Sequence, residues 1–164
     1  MAPAAFGESV QDLELAARAR LDDALTLRDR NRLIGAVYLL GYVAEMYLKV
    51  AVYRRLGARP NAQTRPLWRR ARNEAERMEL PRHLGQWDGG HGLMFWARLL
   101  WSLPSAEGTL DGRVRADLFR HVSRIERHWT IHLRYSPNQG GWQEAQIVYA
   151  SVEWIRRRRF QLWR

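Results

Sequence analysis

Cysteine is absent from this chain of 164 residues, which excludes disulfides and thiolate metal sites and matches the usage of a cytoplasmic protein. Lysine is nearly absent too: of 27 basic residues, Lys49 is the single lysine and the rest are arginine. The uncharged run Leu33 to Ala44 has 12 residues before Glu45 interrupts it, short of the roughly 18 needed to cross a bilayer. The start, MAPAAFGESV, lacks the basic segment and long apolar run of a secretory signal. No segment alternates convincingly with period two, and there is no glycine-rich phosphate loop, paired carboxylate site or recognisable Ser-His-Asp arrangement. These absences leave a cytoplasmic, all-α protein with no membrane segment as the expectation.

What is present is positive charge and helical periodicity. Against the 27 basic residues stand 17 acidic ones, a net charge of +10 that favours a polyanionic partner, nucleic acid first and an acidic protein second. Apolar residues recur at helical spacing from Leu33 to Leu56, with further apolar residues on most other faces, so this stretch reads as the central helix of the fold. Its Gly35, Ala36, Gly41 and Ala44 would let a neighbouring helix backbone approach closely. Glu45 and Lys49 sit one turn apart and read first as a surface ion pair, with a polar role in a groove or dimer seam as the alternative. Arg54 and Arg55 suit the negative end of the helix dipole, and Gly57 supplies a left-handed stop.

Ser9 and Asp12 form a capping signal for a first helix reaching about Arg30, which Asn31 ends before the chain returns as an antiparallel hairpin. Further helices are expected over about 66–78, 91–101, 113–132 and 142–159, separated by turns at QWDGGH, SLPSAEGTLDG and RYSPNQGG. The chain is thus one domain, with its core over about 9–162: an up-and-down bundle of five to six helices. Most of the eight tryptophans are expected in the core or a dimer interface.

Candidate functional residues lie on the basic segments. Nine arginines fall between Arg54 and Arg82, among them Arg69, Arg70 and Arg72, as a solvated helix face or a footprint for nucleic acid. The run Arg156 to Arg159 reads as a solvated basic end, with Phe160 and Trp163 able to stack on bases. His121, Arg124, His128 and His132 fall on one stripe if a single helix spans them, as a groove or interface. A metal at His128 and His132 would lack a third ligand. Arg127, His128 and His132 also compose R-H-x-x-x-H, in which histidine supplies acid or base and arginine holds a scissile phosphate, sufficient for metal-independent RNA cleavage. On a straight helix Arg127 and His132 are about 140° apart, so convergence needs a bend or a symmetry mate.

DDAL at Asp22 to Leu25, AVYLLGYVAEMYLK at Ala36 to Lys49, GHGL at Gly90 to Leu93 and LRYS at Leu133 to Ser136 occur in the order and spacing of the HEPN family. The chain resembles that family over most of its length. The resemblance implies a helical, usually dimeric bundle with a groove on the two-fold axis, where in ribonuclease members arginine and histidine of the R-[polar]-x-x-x-H motif meet from both subunits. The branch with G-H-D-L and R-Y commonly lacks that motif and accompanies minimal nucleotidyltransferases as a substrate- or nucleotide-binding partner; here Gly92 replaces the Asp. The expectation is therefore a homodimeric module binding RNA or a nucleotide, partnered by a nucleotidyltransferase or antitoxin. His91, Arg124, Arg134, Tyr135, Arg69, Arg70 and Arg72 are its candidate contacts. A ribonuclease using Arg127 and His132, or a structural helical dimer, are the alternatives.

Overall fold

The computed structural model describes residues 8–80, 91–104, 111–135 and 140–163. They form six α-helices, α1 (Val10–Asp29), α2 (Leu33–Arg55), α3 (Thr64–Arg77), α4 (Leu93–Ser102), α5 (Gly112–His128) and α6 (Trp142–Trp163), with a 3-10 turn at Ile131–Tyr135 and no strand among the described residues. The all-α bundle is the expected class. Most of the turn at QWDGGH, and parts of those expected in SLPSAEGTLDG and RYSPNQGG, fall outside the described residues.

α1 begins with a reciprocal cap: Ser9 Oγ accepts from the Asp12 amide at 3.1 Å while the Ser9 amide donates to the Asp12 carboxylate at 3.0 Å. The Ser9 hydroxyl, donating to the Asp12 carboxylate at 2.7 Å, and then the Ser9 amide hold the Asp12 carboxyl below its ordinary pKa. Asn31 takes a left-handed φ of 57° and turns the chain back into α2. α2 is the hub, packing most extensively on α1 and α6 and also against α4, α3 and α5. Fourteen of its 23 residues are buried. By length and composition it is apolar enough to span a membrane; here that apolar surface is covered by the other helices.

Two of the small residues on α2 admit side chains rather than a neighbouring backbone. A Cβ at position 41 would overlap the indole of Trp129, and one at position 35 would press on Leu27. The indole of Trp129 lies flat against the helix and donates to the Tyr38 carbonyl at 3.0 Å. Arg55 corrects another expectation. Its guanidinium does not simply face the helix dipole: Nε donates to the Leu162 carbonyl at 2.9 Å and Nη1 to the Leu103 carbonyl at 3.2 Å. A half-buried arginine thus caps the last turns of α4 and α6 together, carbonyls that would otherwise lack partners.

The run Arg156 to Arg159 lies inside α6 rather than trailing from it. Arg156 and Arg157 bond Glu153, whose carboxyl is pulled down by Arg156 first. Arg159 stacks on Phe160 with its guanidinium carbon 4.2 Å from the ring centre.

Candidate functional site

One side of α2 differs from the rest. Tyr38, Tyr42, Glu45 and Lys49 fall at helical spacings of four, three and four and form a polar stripe on an otherwise apolar hub. The 3-10 turn and α4 both pack on α2, and the residues just before each, Trp129 and His91, meet the stripe at Tyr42.

Glu45 is 3% exposed, so its pairing with Lys49 is a buried ion pair and not the surface pair the spacing suggested. Its second oxygen holds His91 Nδ1 at 2.9 Å. A buried carboxylate is tolerated when cations and hydrogen bonds fill its lone pairs, and here an ammonium and an imidazole do so from two elements. The Lys49 ammonium also lies 5.4 Å from the centre of the Trp96 ring. With Nδ1 engaged by the Glu45 carboxylate, Nε2 is the ring nitrogen left to face a ligand. His91 keeps about a third of its side chain exposed, enough for that role.

His91 meets Tyr42 edge-on, with ring centres 5.9 Å apart, and Tyr42 meets Trp129 and Tyr38 in the same manner at 5.5 and 5.0 Å. The Tyr38 and Tyr42 hydroxyls share a hydrogen bond of 3.3 Å. The Tyr42 phenol is pushed up to about 12, by burial first, then by the Tyr38 hydrogen bond and the charges of Tyr38 and Glu45, while Arg134 pulls the other way. Tyr42 therefore stays neutral at physiological pH, with Arg134 in its field. Arg134 and Tyr135 are exposed, and the guanidinium lies 4.7 Å from the Tyr135 ring centre.

α4 lacks a side-chain cap of its own, since Gly92 occupies that position. Glu126 of α5 reaches across instead and accepts from the Met94 amide at 2.9 Å. Burial raises the Glu126 pKa, and the Met94 and Leu93 amides oppose the shift. One carboxylate from a neighbouring helix thereby fixes where His91 enters α4.

The histidine stripe does not continue as expected. α5 ends at His128, because Trp129 turns inward with φ −119° and ψ 128° to reach α2, and the chain re-forms as the 3-10 turn. His121, Arg124 and His128 share a helix; His132 belongs to another element. Arg127 and His132 are exposed and make no ion pair, and His128 is half-buried. His121 instead stacks on Trp154 at 4.8 Å and approaches Ser151 Oγ at 3.2 Å. Arg69, Arg70 and Arg72 stand exposed on α3, which packs on α2 and α4. His91 thus lies on the polar stripe against Tyr42 and Glu45, and the 3-10 turn that carries Arg134 and Tyr135 packs on the same helix.

On sequence alone Tyr38 and Tyr42 are passed over, Glu45 is offered only as a groove or seam partner of Lys49, and Glu126 is passed over. The first three were detectable as a polar row at helical spacing within an apolar helix; Glu126 carries no local signal, because its partner amide is 32 positions away. Among the described residues no three His, Asp or Glu side chains group so as to hold a metal ion. Comparison with protein-family models, curated proteins and solved structures finds no match to this chain.

Proposed function

We propose that the chain is a nucleic-acid- or nucleotide-binding module whose seat is the ring cluster of Tyr38, Tyr42 and His91, bordered by Arg134 and Tyr135. The observation that carries this reading is the ring cluster on α2, where His91 meets Tyr42 edge-on and the 3-10 turn bearing Arg134 and Tyr135 packs on the same helix. Arg134 supplies a fixed positive charge for phosphate, Tyr135 an exposed ring for a base, and His91 Nε2 an acceptor oriented by Glu45.

The HEPN resemblance supports the same reading, since its G-H and R-Y pieces supply His91, Arg134 and Tyr135, and a minimal nucleotidyltransferase partner would present such a nucleotide. Arg127 and His132 stand exposed on separate elements joined by a bend, so a ribonuclease centre built from them is the second reading.

The test is fluorescence-detected binding of nucleoside monophosphates and a short single-stranded RNA. Arg134→Ala and Tyr135→Ala, both on exposed side chains, should each weaken binding about tenfold, the scale of one charged contact or one stacked base. Unchanged affinity in both variants would overturn the assignment of the site.

A further inference from the structure

The outer face of α5 carries charge that the fold does not use. Arg113, Arg120, Arg124 and Arg127 are exposed and fall within an arc of about 60° on the helix, in a row about 21 Å long. Arg120 is paired with Asp117; Arg113, Arg124 and Arg127 make no ion pair among the described residues. The other acidic residue of the helix, Glu126, is committed to the Met94 amide. Arg120, Arg124 and Arg127 succeed one another at i+4 and i+3, where like charges destabilise a helix. Arg124 and Arg120, after burial, lower the pKa of the neighbouring His121, so their field is felt locally.

This row differs from the basic face of α3, where Glu74, Glu76 and Glu79 lie among the arginines and Glu74 binds Arg77. It also leads somewhere: past Arg127 the chain continues into the 3-10 turn that carries Arg134 and Tyr135.

We propose that α5 is the backbone track for a single-stranded nucleic acid, with phosphates of the strand on Arg113, Arg124 and Arg127 and an unpaired base stacked on Tyr135 beyond the end of the row. The inference rests on the proposed binding function and assigns the polymer's path. A single strand fits because the row is one side chain wide on a convex helix, and because Tyr135, 71% exposed, offers a ring face that bases held in a duplex cannot reach. Arg127 on this account grips phosphate and performs no chemistry.

The experiment measures binding of a fluorescent oligo-U of about ten nucleotides, and of the same strand annealed to its complement, across a salt series. Three proteins are compared: wild type, the α5 variant R113Q/R124Q/R127Q, and the α3 variant R65Q/R69Q/R70Q, which loses the same net charge. All substituted side chains are exposed, and circular dichroism verifies that each variant is folded. The α5 variant should bind the single strand at least tenfold more weakly and lose about 2 from the slope of log K against log salt, since each single-strand phosphate contact contributes about 0.7. The α3 variant should follow wild type, and the duplex should bind more weakly than the single strand. Wild-type affinity and slope in the α5 variant, an equal or larger loss in the α3 variant, or a preference for duplex would overturn the track while leaving the site at Arg134 intact. No binding by wild type at low salt would overturn both.

Discussion

α1 and α5 are both amphipathic helices with one face in the core, yet they treat charge in opposite ways. α1 holds three arginines and five acidic residues. Every arginine on it has a partner on the same helix: Arg18 with Glu14, Arg20 with Asp23 and Arg28 with Asp29. α5 holds five arginines and two acids, and only Arg120 finds a carboxylate. Arg115 packs its guanidinium over Trp101 at 4.6 Å, leaving three cations without internal use. Exposed pairs such as those on α1 are each worth well under about 1 kcal/mol, so neither pattern is needed to fold the chain. The contrast is about partners: α1 presents a neutralised surface to water, whereas α5 presents one that an external polyanion completes.

The largest effect expected on this comparison comes from the anchor of α5 and not from its charges. Trp129→Ala removes a buried indole and its bond to α2, and should cost about 3–5 kcal/mol in urea unfolding. A loss below about 1 kcal/mol would show that the end of α5 is not held there. Glu45→Gln comes next, at about 2–3 kcal/mol, because the Lys49 ammonium loses its counter-charge and His91 its carboxylate acceptor; a neutral result would mean the node is solvated.

Neutralising R113Q/R124Q/R127Q should leave stability within about 0.5 kcal/mol of wild type or raise it, by relief of like-charge repulsion. A drop above about 1 kcal/mol would give those arginines a structural use and erase the distinction from α1.

The smallest effect is a pH dependence at His121, whose pKa burial, Arg124 and Arg120 hold below the ordinary 6.5. The folded state binds that proton less readily than the unfolded state, so this contribution is complete above about pH 6.5 and is lost as pH falls toward the depressed folded value. His121→Gln should flatten this part of the stability profile. A bound strand over Arg120 and Arg124 should move the His121 titration, followed by NMR, upward.

Much of the fold was legible because α1, α2 and α6 declare themselves locally. Ser9 and Asp12 start the first helix, Asn31 and Gly57 (φ 82°) bound the second, and Ala145, Val148, Val152 and Ile155 mark the buried face of the last. What escaped the sequence is long-range. The periodicity of α5 runs through Trp129 without a break, and only the notch at Gly41 turns that residue inward and ends the helix at His128. Glu45 resembled a surface partner of Lys49 because spacing cannot reveal that His91, 46 positions away, closes over it. Arg55 likewise resembled a dipole charge, its acceptors lying 48 and 107 positions off. At the candidate site, His91, Arg134 and Tyr135 were read from short motifs, whereas the tyrosine that His91 meets comes from a row on α2 hidden among apolar neighbours.

The most direct test of the central claim, binding without cleavage, is to incubate the purified protein with single-stranded RNA in EDTA and follow complex formation and strand integrity in one sample. RNA that is bound and recovered intact is the predicted result. RNA that is cut by wild type and spared by both Arg127→Ala and His132→Ala would contradict it and place a ribonuclease centre at those two residues.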